Sequence, residues 1–302
     1  MSPRKLFPVV VVASLILPLY LFACHGNRSG PSEISELPAS ATSGALTFGA
    51  ESSLVPVIAP VGRMFSAYYP SARLKVSGGS FEELFNGFLR GDPAAMLVEG
   101  RLSGVEQSLL ENAAFGYRLE PVAKGALVCI ANRRGPVESL TSGQLRRLLS
   151  GGNASRRIVP VVNEHDVVLQ RLLSERVSGG EAIHVRTVSG DAEVVRAVAG
   201  DRNVIGFLPL ESTGQEVRVS GDSLSIRIVP VSPDGASAAV SPSQDNVYKG
   251  TYPLAYIIYY MYRKQDPLAA GFGAWLAREG QKGIVRSVLA PYRQPVRTIN
   301  LK

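Results

Sequence analysis

Cysteine is nearly missing from this chain: its 302 residues include only Cys24 and Cys129. No disulfide framework can be built on them if Cys24 is otherwise engaged, so the fold must stand on its apolar core. Histidine is almost as scarce, with three in all, and no His/Cys cluster has metal-ligand spacing. No Gly-x-Ser-x-Gly elbow appears either, which removes the commonest signature of an exported serine hydrolase. The formal charge is +7, yet Lys and Arg do not cluster and no aromatics are interleaved with them, so nucleic acid is not an expected partner. Long apolar runs are confined to residues 6–22; Tyr252 to Tyr262 is apolar but too short to cross a bilayer, and it reads as a buried helix.

That first run carries a message. Arg4 and Lys5 precede Leu6 to Phe22, and Leu21-Phe-Ala-Cys24 closes it. A positive start, a short apolar stretch and a small residue before a cysteine predict a lipoprotein signal peptide over residues 1–23, cut so that acyl chains attach to Cys24. An uncleaved anchor is the alternative, but Pro8 and Pro18 interrupt a run already near the lower limit for spanning. Removing 1–23 leaves a mature chain of +5. His25 to Gly44 is rich in Ser, Gly, Pro and Ala, so residues 24–44 are expected to form a flexible tether reaching roughly 25 Å. The product would be exported and lipid-anchored to the cell membrane or outer membrane, in the periplasm or at the cell surface.

Beyond the tether the pattern alternates, which predicts an α/β chain. Strands are expected at Ala45–Ala50, Arg73–Ser77, Ala126–Ala131, Ile158–Val162, Val204–Pro209 and Leu224–Val231. Helices are expected at Leu54–Tyr69, Phe81–Arg90, Thr141–Leu149, Asp166–Val177, Asp191–Ala199, Pro253–Arg263 and Leu268–Val288, so that helices close the chain. Ser80 with Glu83, Thr141 with Gln144, and Ser189 ahead of Asp191 look like helix caps. Cys129, inside an apolar strand, reads as a small buried hydrophobe. About 258 residues after the tether exceed what one core usually organises, so two lobes are expected.

Three stretches, Val76-Ser-Gly-Gly-Ser-Phe-Glu-Glu-Leu-Phe-Asn-Gly87, Ser189 to Leu210, and Asn246-Val-Tyr-Lys-Gly-Thr-Tyr-Pro-Leu254, together resemble the phosphate-binding proteins of ABC importers. Tyr69-Pro70, Leu140-Thr-Ser-Gly-Gln-Leu145, Asn203-Val-Ile-Gly-Phe207 and Phe272-Gly-Ala-Trp-Leu276 before Glu279-Gly-Gln281 support the likeness, which spans residues 45–292. The resemblance implies a type II periplasmic binding protein fold: two lobes, each a mixed sheet flanked by helices, joined by two hinge strands and closing on a ligand. It would put residues 45–130 and 210–302 in one lobe and 131–209 in the other, with Ala126–Ala131 and Val204–Pro209 as hinges.

The resemblance also implies where a small oxyanion, phosphate or a relative, would bind. Ser52 and Ser53 match the family's first-loop hydroxyls, and Gly79 with Ser80 match its glycine-serine helix start. The fourth loop departs: Asn163-Glu164-His165-Asp166 stands where an arginine is expected, which leaves Asn163 and His165 as candidate contacts. The third loop has Ala94 and Ala95 where an aspartate is expected, with Asp92 ahead of them and Arg101 beyond. Losing an arginine clamp would cost about one to two decades of affinity. Glu51, Glu164 and Asp166 would repel phosphate if they faced the cleft. Arg156 and Arg157 stand near enough in sequence to reach in, or else to line a solvated face.

Two readings follow. One is a monomeric solute-binding protein that serves an ABC permease by clamp closure, with no enzyme activity, metal or other cofactor. The other is a degenerate version of the fold that senses another ligand or docks on envelope proteins. An exported hydrolase is disfavoured, because adjacency of His165 and Asp166 does not make a catalytic relay.

Overall fold

The computed structural model describes residues 39–151, 158–213 and 225–295. All of them fall in one unit, Pro38–Lys302. The signal sequence, Cys24, Arg156 and Arg157 lie outside the described residues. Ser40 and Ser43 pair across a turn, and the first strand begins at Gly44, so the last tether residues lead directly into the sheet.

In chain order the elements are β1 (Gly44–Glu51), α1 (Val55–Tyr68), β2 (Ala72–Gly79), α2 (Phe81–Arg90), β3 (Ala95–Glu99), α3 (Gly104–Glu111), β4 (Tyr117–Asn132), β5 (Leu140–Thr141) and α4 (Ser142–Leu149). There follow β6 (Val159–Asn163), α5 (Val167–Leu173) running into a π turn at Ser174–Ser178, β7 (Arg186–Val188), α6 (Asp191–Gly200), β8 (Val204–Pro209), β9 (Ile226–Val229) and β10 (Val231–Ser232). The last are α7 (Gln244–Lys249), β11 (Ala255–Arg263), α8 (Pro267–Leu276), α9 (Gln281–Ile284) and β12 (Ala290–Pro291).

The main sheet has the order β2-β1-β3-β11-β4-β8-β6-β7. The strands of each wing are parallel, β1 with β2 and β3, and β6 with β7 and β8, while β11 and β4 run antiparallel between them. The 16-residue β4 is common to both halves: Tyr117–Ala126 pairs with β11, and Leu127–Ala131 pairs with β8. The two expected hinge strands are therefore hydrogen-bonded neighbours. Residues 226–229 pair with Cys129–Asn132, in the half that holds β6 and β8.

Two helix expectations fail. Residues 255–263, within the helix expected at Pro253–Arg263, form a central strand whose buried residues include Tyr256, Ile258, Tyr260 and Tyr262 in period-two alternation. Alternating aromatic and β-branched side chains suit a sheet, and a strand flanked on both edges reads as an unbroken apolar run. The long helix expected at Leu268–Val288 is broken into α8 and α9, and Gly280 stands between them, where a Cβ would lie 2.7 Å from the Leu276 Cα. A short strand, β12, follows them near the end of the described residues. Two of the three expected caps are present as reciprocal capping boxes, at Ser80–Glu83 and Thr141–Gln144. Ser189 is not a cap, since Gly190 occupies that position with no side-chain bond.

The helices seal the sheet with aromatic packing. Phe272 on α8 lies 5.1 Å from Phe48 of β1, 5.3 Å from Phe65 of α1 and 5.4 Å from Tyr260 of β11, ring centre to ring centre. In the other half, Val194 and Val198 of α6 press onto Gly206 of β8, where an added Cβ would sit 2.6 Å from Val194 and 2.9 Å from Ile130. Gly206→Ala is therefore expected to overpack this layer and lower stability by about 1–3 kcal/mol, measured as a shift of the urea midpoint. Burial pushes the Cys129 thiol up to about 12, so this residue should resist thiol reagents in the folded protein and react only on unfolding, as followed by mass spectrometry.

Candidate ligand-binding cleft

In open sheets of this type, ligands meet the carboxyl ends of parallel strands. The cleft here follows that rule, with a cavity of about 440 Å3. One wall comes from the ends of β1 and β2 (Glu51, Ser52, Ser53, Gly79, Ser80) and the other from the ends of β6 to β8 (Asn163, His165, Asp166, Asp191, Ser212). All six residues expected to meet a ligand, Ser52, Ser53, Gly79, Ser80, Asn163 and His165, line this one cavity.

The first wall is a donor surface. Helix α1 begins at Leu54 without a side-chain cap, so Ser52 and Ser53 are not the capping pair that is the ordinary use of such serines, and neither hydroxyl bonds elsewhere among the described residues. Ser80 caps α2: its Oγ accepts from the Glu83 N–H at 3.3 Å, and its own N–H donates to Glu83 Oε2 at 3.0 Å. The Ser80 hydroxyl proton stays available to a guest. Those bonds from Ser80 also hold the Glu83 carboxyl below its usual range, so a negative charge already sits at the start of α2. A Cβ at Gly79 would touch that carboxyl at 3.3 Å, which suits the glycine here.

The second wall is acidic. Asp166 caps α5, accepting from Leu169 N–H at 2.8 Å. Asn163 is committed to the scaffold: its Nδ2 donates to Asp191 at 2.9 Å and its Oδ1 accepts from the His165 N–H at 3.0 Å. The His165 ring is 72% exposed and lies 3.5 Å from Glu164, pointing to a rim position rather than a central contact.

Beneath both walls lies a carboxyl cluster. Glu99, at the end of β3, is 5% exposed and accepts a 2.7 Å hydrogen bond from Tyr256 Oη. Its other oxygen, Oε1, is buried with no hydrogen-bond partner among the described residues, and burial raises this carboxyl above its usual range. Burial, then the nearby Glu99 and Asp166 charges, push Glu51 up to about 10. Burial and Glu99 push Asp166 up to about 7. Glu211, just past β8, is raised by burial first and by Glu99 second, and apart from its own N–H it has no hydrogen-bond partner among the described residues. The same crowding, added to burial, raises the Tyr256 phenol.

The cation closest to this cluster faces elsewhere. Burial raises the Glu99 carboxyl and the charge of Arg171 on α5 only partly offsets it; the Arg171 Nη1 reaches Glu106 of α3 at 2.8 and 3.0 Å and its guanidinium stands 5.4 Å from the Phe81 ring. Among the described residues no Lys or Arg lines the cavity, and no group of three or more His, Cys, Asp or Glu is arranged to hold a metal ion. Arg101 is exposed, and Asp92 follows the left-handed cap Gly91, its N–H donating to Gly87 O, so neither enters the cleft.

Sequence reasoning flagged Glu51 and Asp166 as sources of repulsion but missed Asp191, Glu99, Glu211 and Tyr256. A legible sign existed for Glu99: it ends the apolar run Met96-Leu97-Val98 just before Gly100, where a strand delivers its last side chain to the carboxyl edge.

The fold has relatives among solved structures. A protein described as a phosphate ABC transporter substrate-binding protein from Clostridium perfringens, with phosphate bound, superposes with a TM-score of 0.65 at 16% identity, covering 83% of this chain and 100% of its own. An ABC-type phosphate transport receptor from Vibrio cholerae gives 0.61 at 16% identity over 81% and 99%. A tungstate-binding protein from Desulfovibrio alaskensis G20 gives 0.60 at 14% identity over 82% and 99%. Identities this low establish shared fold alone. No curated protein matches in sequence. The family model described as the PBP superfamily domain matches residues 37–279, most of the chain including every residue of the cleft, and the two-lobed binding fold agrees with it: this protein belongs to the PBP superfamily.

Proposed function

We propose that the protein is an exported, lipid-anchored solute-binding protein whose cleft captures a small oxyanion-bearing solute and presents it to an ABC permease. Residues 45–130 and 210–302 would form one lobe and 131–209 the other, with residues 226–229 in sheet contact with the second, and closure would bend the segment where β4 and β8 pair. The observation that carries this reading is the donor wall: three serine hydroxyls beside an uncapped helix start, at strand ends, inside one cavity. Membership of a superfamily of binding proteins supports capture without chemistry, and relatives of the same fold are named for phosphate and tungstate binding.

The carboxyl cluster favours a second reading, in which the cleft has left inorganic phosphate behind and the protein senses another solute or docks in the envelope. Calorimetric titration of phosphate, sulfate and tungstate decides between them. Heat from at least one anion, weakened about tenfold or more by Ser52→Ala, is the expected result; silence from all three would sink oxyanion capture. Ser52 is the cleaner variant, since Ser80→Ala also removes a cap and costs about 1 kcal/mol of stability.

The raised carboxyls set two pH trends. A carboxyl whose folded value lies above its unfolded one stabilises the fold fully below the unfolded value, and that contribution is lost as pH rises through the folded value. With Asp166 at about 7 and Glu51 at about 10, the ligand-free protein should melt at a lower temperature at pH 8 than at pH 5, and Glu51→Gln should flatten the difference. A simple inorganic anion should bind more weakly over the same rise, because deprotonating Asp166 adds negative charge beside it.

A further inference from the structure

We infer that the solute is amphoteric: its oxyanion docks on Ser52, Ser53 and Ser80, and an ammonium it carries docks on Asp166 and Asp191 across the cleft. This rests on the oxyanion reading above and names the ligand class of that same site. Three observations carry it.

The first is size. A cavity of about 440 Å3 lies in the range of roughly 300–1,000 Å3 that encloses whole organic molecules, and a lone tetrahedral anion held at the serine wall would leave the acidic wall to water.

The second is polarity. Apart from Glu51, which burial pushes up to about 10, the β1/β2 wall offers hydroxyls and the uncapped start of the 14-residue α1, groups that favour negative charge. The facing wall offers the carboxyls of Asp166 and Asp191. A ligand of one sign would satisfy one wall and be repelled by the other, whereas a zwitterion satisfies both.

The third is a buried acid with no counter-charge beside it among the described residues. Glu211 is 5% exposed, its carboxyl has no partner but its own N–H among the described residues, and the charges that act on it are Glu99, Asp166 and Asp191. Asp166 in turn faces Glu99 from β3, Asp191 from α6 and Glu51 from β1. Arg171, a turn along α5, pairs with Glu106 through Nη1 while its Nε and Nη2 have no hydrogen-bond partner among the described residues, it does not line the cavity, and the His165 ring stands at the rim beside Glu164. Burial without a counter-charge holds such carboxyls in their neutral form, and an ammonium carried by the ligand would supply a counter-charge from the cavity side.

The test compares 2-aminoethylphosphonate with ethylphosphonate, which differs by the amine, and with inorganic phosphate, by calorimetry on the whole protein at pH 8. The amine-bearing probe is expected to bind about 10- to 100-fold more tightly than ethylphosphonate, the span of one or two hydrogen bonds between charged groups. That ratio should shrink toward one in Asp166→Asn, which keeps a residue able to cap α5, and in Asp191→Asn, which supplies a second variant if the first is unstable. Equal binding of the two phosphonates, or binding of phosphate with neither phosphonate, overturns the inference while leaving oxyanion capture standing. Silence from all three probes overturns the inference as well, and oxyanion capture is then decided by sulfate and tungstate.

Discussion

Everything in the described structure hangs on β4. Its first ten residues pair with β11 and its next five with β8, so one strand supplies hydrogen-bonding edges to both wings of the sheet. Residues 122–123 and 125–132 of this strand are buried, which explains why it carries no charged side chain after Lys124. The parallel wings on either side aim their carboxyl ends at a common space, and the loops that leave those ends have no choice but to line it.

The cleft sets two demands against each other. Hydroxyls and a helix start gather where an anion is welcome, while a set of carboxyls, more than the local cations can neutralise, gathers underneath. The protein resolves the conflict with protons: Tyr256 donates to Glu99, and burial with the neighbouring acids pushes the Glu51 carboxyl up to about 10. Such an arrangement makes the electrostatic sign of the floor a variable rather than a constant, because each carboxyl's charge depends on what the others carry.

Much of this was legible in the chain. The glycine-serine helix start, the alternation of strands and helices, and the six candidate contacts converge in one cavity, because strand-end and cap residues are local signals that the fold does not need to rearrange. β11 was not legible as a strand, since Ala255–Arg263 is apolar throughout and a doubly flanked strand shows the same run as a buried helix. The acid floor was only half visible. Glu51 and Asp166 stand beside recognised motifs, but Glu99, Asp191 and Glu211 belong to three separate stretches whose meeting is a property of topology, and no local pattern announces it. Ser189 misled for the opposite reason: a good capping residue sits one place too early, and Gly190 takes the position instead.

Arg171 and Glu106 tie α5 to α3 across the side of the cleft, both less than one-fifth exposed, and Leu172 beside them packs against Gly100, where φ is +71° and a Cβ would lie 2.5 Å from the leucine. Any movement that parts these helices must expose two charges and unseat that leucine together. If opening of the cleft parts these helices, the time a guest spends inside would depend in part on a bond the guest never touches, so that affinity and residence could be tuned separately.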